Sequence, residues 1–306
     1  MTRGNTRFRL GTRGSPLALT QAAMVRDALC AAHGWRAEEV ATVIIRTTGD
    51  RVQDRALAEI GGKALWTKEL DRALHDRDID CAVHSMKDVE TIRPTTIAIA
   101  AMLPRADVRD RLIGAESISA LKQGAVVGTS SPRRRAQLLR LRPDLDVVLF
   151  RGNVDTRLAK LRDGEADATL LAAAGLDRLG RDVGTAISTE DMLPAPAQGA
   201  VGIEVRANDQ TAAVIVGAID YAATSACVLT ERALLAALGA DCHSPVAALA
   251  SLSGEMLTLR AQLLSEEGND SIEGRAEGTD GAEIGKRLAD DLLTRAPEAI
   301  RRLFCP

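Results

Sequence analysis

The same strand–turn–helix opening occurs twice in the chain. Each copy runs from the end of a short predicted strand to the start of a predicted helix. The two copies are Leu10-Gly11-Thr12-Arg13-Gly14-Ser15-Pro16 and Val127-Gly128-Thr129-Ser130-Ser131-Pro132. Serine is a good N-cap and proline is favoured at the first helical position, so each Ser-Pro pair predicts the start of a helix. Short apolar strands then alternate with helices, which predicts parallel βαβ units. We therefore expect two similar α/β domains with these turns in corresponding positions.

Hydrophobic periodicity sets the predicted elements. The first half predicts a helix from Ser15-Pro16, a second helix over 65–75, and strands over 7–12, 40–46, 79–83 and 97–103. The second half predicts helices over 131–141 and 154–162 and strands over 125–128, 147–150 and 168–172. Beyond Asn208 it predicts helices over 211–222, 223–238 and 282–294 and strands over 246–252, 256–264 and 271–276. The three strands and the helix over 282–294 indicate a small third domain of the α+β class.

The composition argues against several classes of protein. The chain has 306 residues, enough for two or three domains. Its net charge of −3 and its 2% of aromatic residues disfavour a nucleic-acid binder, which needs a basic field and stacking platforms. Five widely spaced cysteines indicate neither a disulfide framework nor a zinc site. Without an apolar run of about 18 residues or an apolar leader, we expect a soluble, cytoplasmic protein.

Clustered cations suggest an anionic ligand. Arg133, Arg134 and Arg135 lie in the first turn of a predicted helix, where cations oppose the helix dipole. Such a cluster predicts anions nearby. Further arginines follow or flank strand ends, where ligands bind in open α/β sheets, and the arginine fork matches carboxylates: these are Arg13, Arg151, Arg157 and Arg178. For any one of them, solvation at the surface is an equally good interpretation.

Three more features have two interpretations each. Lys87-Asp88 follows a strand end, so Asp88 suits either cation stabilisation and proton transfer or a structural ion pair. The polar segment 50–62, followed by Lys63, suits either a mobile lid or an ordinary surface loop. Cys242, in the loop 239–245, is either a small buried residue or a thiolate that attacks a carbon electrophile and forms a thioether. A protease pair with the adjacent His243 is rejected, because neighbours in a loop rarely face each other.

The chain closely resembles the porphobilinogen deaminase family, also called hydroxymethylbilane synthases. The matching stretches span nearly the whole chain: Thr12-Arg13-Gly14-Ser15-Pro16-Leu17-Ala18-Leu19, Gly61-Gly62-Lys63, Ala82-Val83-His84-Ser85-Met86-Lys87-Asp88, Val127-Gly128-Thr129-Ser130-Ser131, Arg151-Gly152-Asn153-Val154, Thr156-Arg157-Leu158, Ala174-Gly175-Leu176, Gln198-Gly199-Ala200-Val201-Gly202-Ile203-Glu204 and the Cys242 loop.

The resemblance implies a fold of two periplasmic-binding-protein-like α/β domains around a cleft plus a small α+β C-terminal domain. Domain 1 would comprise 1–103 and 199–220, domain 2 would comprise 104–198, and domain 3 would comprise 221–306 and carry Cys242. The family also implies a cytoplasmic monomer that acts on a small molecule, with neither nucleic acid nor membrane as a partner.

The implied activity is a transferase reaction of porphyrin, haem and other tetrapyrrole biosynthesis. Porphobilinogen, a pyrrole with acetate, propionate and aminomethyl groups, loses ammonia to give an electrophilic azafulvene that the next pyrrole attacks. Four additions build a linear tetrapyrrole, which water then releases as hydroxymethylbilane. A dipyrromethane cofactor, attached to Cys242 through a thioether, would anchor the growing chain.

The resemblance also assigns roles to residues. Asp88 would face the pyrrole N–H groups, assist deamination and stabilise the cationic intermediate. The residues implied to bind cofactor or substrate are Arg13, Ser15, Lys63, Lys87, Thr129, Ser130, Ser131, Arg133, Arg134, Arg151, Asn153, Arg157, Arg178 and Gln198. No metal site is expected.

Several positions depart from the common pattern of the family. Lys is usual at the position of Glu59, Phe at Trp66 and Pro at Glu90. An aliphatic residue is usual at Pro132, and Gly is usual at both Asp155 and Ala197. None removes a catalytic group, but together they leave open a slow or non-catalytic paralogue. The other alternative is a carboxylate-binding module on the same fold, which would need neither Asp88 nor Cys242.

Overall fold

Both Ser-Pro pairs begin helices, as predicted. The structure, a computed structural model, describes residues 6–45 and 67–304. The chain divides into two units, the first comprising Met1–Arg105 and Ala200–Ser225 and the second comprising Ala106–Gly199 and Ala226–Pro306. The first unit is therefore discontinuous in sequence. The three-domain division stays a prediction, because these two units are defined by compactness alone.

The described part of the first unit contains a five-stranded sheet with helices packed on it. Its elements in the described residues are β1 (Phe8–Arg13), α1 (Pro16–His33), β2 (Val40–Ile45), α2 (Lys68–His75), β3 (Cys81–Ser85), β4 (Ile97–Met102), β10 (Val201–Arg206) and α6 (Gln210–Gly217). The strand order is β2-β1-β3-β10-β4. β1 pairs in parallel with β2 and β3, whereas β10 runs antiparallel to both of its neighbours.

The second unit contains a similar sheet and a smaller one. The first part comprises β5 (Asp110–Ile113), β6 (Val126–Thr129), α3 (Pro132–Leu141), β7 (Asp146–Leu149), α4 (Val154–Arg162), β8 (Ala168–Ala172), α5 (Ala173–Arg178) and β9 (Thr185–Ala186), in the order β7-β6-β8-β5-β9. The C-terminal part comprises α7 (Ala222–Leu238), β11 (Val246–Ser253), β12 (Met256–Leu264), β13 (Ser271–Gly278), α8 (Gly281–Arg295) and α9 (Glu298–Arg301), and the first four residues of α7 fall within the first unit. Its three strands form an antiparallel meander.

The predicted α/β fold class with a small α+β part is confirmed. The predicted parallel units are present, because β1 pairs in parallel with β2 and β3, and β6 pairs in parallel with β7 and β8. Each five-stranded sheet also contains antiparallel pairings, which the prediction did not include. β5 runs antiparallel to β8 and β9, and β10 runs antiparallel to β3 and β4. The prediction included neither β5 nor β10 as a strand. β5 is only four residues long and begins with a charged residue. β10 does alternate Val201, Ile203 and Val205 with Gly202, Glu204 and Arg206, but all six residues are buried, so its polar positions do not face solvent as the alternating pattern would indicate.

The C-terminal sheet packs against helices through a core of aliphatic side chains. Leu234 of α7, Leu259 of β12 and Leu288 of α8 are at most 2% exposed, and each contributes roughly 1.5–3 kcal/mol by burial. Among the described helices, none is by itself long and apolar enough to cross a membrane, and α6 and α7 reach that length and composition only when joined across a sharp bend.

The turn between β12 and β13 of the C-terminal sheet packs closely against the backbone of α3. Gly268, between β12 and β13, has φ +73°, and a Cβ atom there would lie 2.1 Å from the carbonyl oxygen of Ala136. Gly254, between β11 and β12, has φ +60° and open space around the same position. The two turns therefore need glycine for different reasons: Gly254 for its dihedral angle, and Gly268 also for the close approach of a helix backbone.

We predict that Gly268→Ala destabilises the protein more than Gly254→Ala. The left-handed conformation alone should cost roughly 1–2 kcal/mol in each variant. Overlap with the α3 backbone should add roughly 1–3 kcal/mol at position 268, because a helix backbone cannot move aside as a side chain can. Urea unfolding of both variants measures the difference. Equal losses would contradict this packing of the turn against α3.

Candidate active site

The β1–α1 turn places two predicted site residues together. Arg13 is the last residue of β1, and Ser15 is the N-cap of α1. The Ser15 Oγ accepts a hydrogen bond from the Ala18 backbone N–H at 3.3 Å, and the Thr12 Oγ1 donates to the Ala18 carbonyl at 3.2 Å. These local bonds hold the turn, so Arg13 and Ser15 have defined positions at the carboxyl end of β1.

Asp88 lies at the end of a 3₁₀ turn that directly follows β3. The turn spans Met86–Asp88, and the Met86 backbone N–H donates to the Ala200 carbonyl at 3.1 Å. Met86 is buried against Gly202, where a Cβ atom would lie 2.0 Å from the Met86 Sδ. The Asp88 side chain is half-buried, and within residues 6–45 and 67–304 it forms no ion pair. The structural ion pair considered for Asp88 is therefore not observed there.

A pocket in the first unit joins these two turns. Arg13, Ser15, Gln21, Ser85 and Asp88 are among its lining residues, and its volume is about 50 Å³. The Gln21 Nε2 donates to the Ser85 Oγ at 2.7 Å, so this wall of the pocket is fixed by a polar contact between α1 and β3. The sequence prediction missed Gln21, although a glutamine within an otherwise apolar face of α1 was an available signal.

The corresponding turn of the second unit is held by its own hydroxyl groups. The Thr129 Oγ1 accepts from the Ser131 backbone N–H at 3.2 Å, and the Ser131 Oγ caps α3 by accepting from the Arg134 N–H at 3.4 Å. The Ser130 Oγ accepts from the Arg157 Nη2 at 2.9 Å. The structure thus brings Ser130 and Arg157 together, while Thr129 and Ser131 shape the turn.

Arg133 and Arg134 face an anion that belongs to the chain itself. The Asp110 carboxylate accepts from the Arg133 Nη2 at 2.8 Å and from the Arg134 Nη2 at 2.7 Å, and all three side chains are buried. The Gln198 Nε2 donates to the same carboxylate at 2.9 Å. Burial alone would raise the pKa of Asp110, but the two guanidinium groups outweigh it and hold that pKa well below its usual range. The sequence prediction of a nearby anion did not identify Asp110.

Two other arginines retain buried N–H groups without acceptors. Among the described residues, the Arg151 Nη1 and the Arg178 Nε have no hydrogen-bond partner. The Arg178 Nη2 donates to the Gly199 carbonyl at 2.7 Å, and burial lowers the pKa of Arg178. Buried donors normally find acceptors, so these atoms suit an anionic ligand. Asn153 instead caps α4, its Oδ1 accepting from the Thr156 N–H at 2.9 Å.

Cys242 lies in an exposed turn after α7. The Asp241 N–H donates to the Ser244 Oγ at 3.1 Å, and the His243 N–H donates to the Asp241 Oδ1 at 2.8 Å. Cys242 is exposed, so its interpretation as a small buried residue is wrong. An exposed thiol in a hydrogen-bonded turn can accept a covalent group without disturbing the core.

Some predicted features fall elsewhere. Lys63, Glu59, Trp66 and the candidate lid at 50–62 lie outside the described residues. Lys87 is half-buried in the same turn as Asp88. In the described part of the chain, no group of three or more His, Cys, Asp or Glu side chains is arranged to hold a metal ion.

Comparisons with known proteins agree along the chain. The family model described as "Porphobilinogen deaminase, dipyromethane cofactor binding domain" matches residues 8–214, and "Porphobilinogen deaminase, C-terminal domain" matches residues 225–294. A porphobilinogen deaminase from Sphingopyxis alaskensis is 57% identical, over 97% of this chain and 96% of its own length. One from Paracoccus denitrificans is 52% identical over 95% of each chain, and one from Nitrobacter hamburgensis is 47% identical over 96% and 95%.

We predict that Asp110 stabilises the protein in a pH-dependent way. Its folded pKa lies below the unfolded value of about 3.9, so its stabilisation is fully present above about pH 4 and is lost as the pH falls further. When the pH is lowered from about 5.5 to about 3, the free energy of unfolding of Asp110→Asn should fall by roughly 1 kcal/mol less than that of the wild type. Urea unfolding at both pH values tests this. Parallel losses in the two proteins would contradict it.

Proposed function

The chain belongs to the porphobilinogen deaminase family, and from this premise we propose which of its residues carry the reaction. The protein is a transferase that deaminates porphobilinogen and condenses four units head to tail into hydroxymethylbilane on a dipyrromethane cofactor. We assign the catalytic carboxylate to Asp88 and the attachment of the cofactor to Cys242. The observation that carries the first assignment is the pocket in which Asp88 lies with Arg13 and Ser15.

The donors of the second unit fit a dipyrromethane with acidic side arms. Arg151 and Arg178 each keep a buried N–H group without an acceptor among the described residues, and the thiol of Cys242 is exposed on the same unit. We propose that these arginines bind carboxylates of the cofactor, with Ser130 and Arg157 as further donors. When bound, the cofactor supplies the pyrrole to which the first substrate is joined.

We propose an indirect role for three further residues, which hold the site from behind: Arg133, Arg134 and Gln198. Their shared bonds to Asp110 fix the wall behind the turn, while the Nε atoms of both arginines stay buried without a partner in the described chain. We propose that they supply positive potential to the ligand from this fixed position. Thr129, Ser131 and Asn153 hold the turns that present backbone N–H groups to it.

Asp88 would act by electrostatic stabilisation. As ammonia leaves the aminomethyl carbon of porphobilinogen, the C–N bond breaks with its electron pair on nitrogen, and positive charge spreads over the pyrrole. A carboxylate beside the pyrrole N–H stabilises that charge, and a half-buried pocket strengthens the effect. Arg13, Ser15 and Lys87 would hold the carboxylates of the substrate. We assign Lys63 the same task from the resemblance alone.

The finer assignments rest on sequence and are part of the same proposal. We propose a cytoplasmic monomer that binds neither nucleic acid nor membrane. The net charge of −3 and the 2% of aromatic residues support the absence of nucleic acid, and the monomer is proposed from the family. We also propose the three domains 1–103 with 199–220, 104–198, and 221–306. The separate three-stranded sheet of the last segment supports its status as a domain.

We predict that intact-mass spectrometry finds two linked pyrrole units on the peptide containing Cys242. Cys242→Ser should lack that mass and all turnover, because the hydroxyl group is a much weaker nucleophile than the thiolate. Cys30→Ser, a half-buried control, should keep both. An unmodified wild type that also stays unmodified with porphobilinogen would favour the non-catalytic paralogue, and a working Cys242→Ser would favour the binding module.

We predict that Asp88→Asn folds normally but loses at least about 100-fold in kcat, because the neutral amide cannot offset the developing charge. Asp76→Asn is the matched control, since Asp76 is an exposed carboxylate of the same unit whose ion pair with Arg72 measures 3.6 Å. Steady-state release of ammonia and circular dichroism are the measurements. Near-normal turnover by Asp88→Asn would show that the assigned role is wrong.

A further inference from the structure

A buried ion cluster lies beside the turn that carries Lys87 and Asp88, and the reaction described above does not use it. Its members, called here the Arg93 cluster, are Asp71, His84, Glu90, Arg93 and Glu204. The Arg93 side chain is 8% exposed and that of Glu204 is completely buried. Burying charged groups costs free energy of desolvation, which is recovered only when the ion pairs and hydrogen bonds have good geometry. We therefore asked what the cluster does at this place in the fold.

Arg93 contacts three carboxylates at once. Its Nε and Nη2 donate to the two oxygens of Glu204 at 2.8 and 2.9 Å, which is the strong bidentate arrangement. Its Nη1 donates to the Glu90 Oε2 at 2.7 Å, and its Nη2 also donates to the Asp71 Oδ1 at 2.5 Å. One guanidinium group therefore joins β10, α2 and the segment after the 3₁₀ turn.

The cluster holds both flanks of the Asp88 turn. His84 comes two residues before Met86–Asp88, and its Nε2 lies 3.1 Å from the Glu204 Oε2, without the angle of a hydrogen bond. Glu90 comes two residues after Asp88 and contacts Arg93 directly. Thr67, which is completely buried, donates its hydroxyl group to Glu90 as well. The backbone on either side of Asp88 is thus tied to the same Arg93–Glu204 pair.

The charge balance of the cluster depends on Arg93. Burial would raise the pKa of Glu204, but His84 and Arg93 outweigh it and hold that pKa at about 2, so this carboxylate is ionised at neutral pH. Without Arg93, the carboxylates of Glu204, Asp71 and Glu90 would lose the cation that they share. Their repulsion would move the most exposed of the three, Glu90, and with it the segment that follows Asp88.

We propose that Arg93 is a positioning residue that fixes the Asp88 turn through Glu90 on one side and Glu204 with His84 on the other. The proposal rests on the assigned role of Asp88. A displacement of about 1 Å at a reacting group costs on the order of 100-fold in rate, so loss of this support should appear in kcat rather than only in stability.

The test compares Arg93→Met and Arg93→Lys with Arg206→Met in holoenzyme whose cofactor loading is verified by intact mass. Arg206 is the matched control: it is equally buried in the same unit, but it binds the carbonyl groups of Leu74 and Ile79 and the carboxylate of Asp209, away from the turn.

We expect kcat to fall about 10–100-fold in Arg93→Met and less in Arg93→Lys, with KM changed less than about threefold. Arg206→Met should lower the Tm but keep kcat within about twofold. A lower Tm with unchanged kcat in Arg93→Met would overturn the proposal.

Two further variants keep the test decisive. If Arg93→Met does not fold, Glu90→Gln removes one charge from the more exposed side of the cluster, and unchanged kcat in that variant would overturn the proposal. Adding Arg93→Met to Asp88→Asn separates the two assignments. If Arg93 acts through Asp88, the second substitution should lower the residual rate by less than about threefold, whereas additive losses would overturn the proposal. Failure of the Asp88 assignment itself would show in Asp88→Asn alone.

Discussion

In each unit, a buried carboxylate on a strand that is antiparallel to both of its neighbours compensates the buried cations on which the site depends. In the second unit, Asp110 on β5 pairs with Arg133 and Arg134. In the first unit, Glu204 on β10 pairs with Arg93 and contacts His84. Buried guanidinium groups are tolerated only with such partners, because removing a charge from water costs several kcal/mol. The antiparallel strands therefore do more than complete the sheets: they supply the anions that fix the surrounding turns.

The two units offer different chemistry from similar architecture. The first presents a carboxylate, Asp88, in a pocket beside Arg13. The second presents arginine donors and the exposed thiol of Cys242. Arg13 and Asp88 lie at strand ends, whereas Arg178 ends α5 and Cys242 lies in a turn after α7. This division is consistent with a transferase that must hold acidic pyrroles and stabilise positive charge during the loss of ammonia.

Local chemistry made many elements predictable. The Ser-Pro pairs predicted the starts of α1 and α3, and the structure shows Ser15 and Ser131 as N-caps. The predicted ranges for α4 and β12 agree with the structure. Three strands were missed: β5 and β9 are short, whereas β10 carries an alternating apolar pattern that the prediction did not use. Gln21 and Asp110 were missed as parts of the site, because their partners lie 64 and more than 20 residues away in sequence.

The sequence by itself determined the family, the α/β class, the starts of the main helices and the residue types available for catalysis, because capping, periodicity and motif spacing act over a few residues. Only the tertiary structure decided how those residues are used. It placed Arg133 and Arg134 against Asp110, left N–H groups of Arg151 and Arg178 without an acceptor in the described chain, and exposed Cys242. It also brought Arg93 and Glu204, distant in sequence, to both flanks of the Asp88 turn. Burial and charge pairing depend on which segments meet in space, and no local pattern in the chain records that.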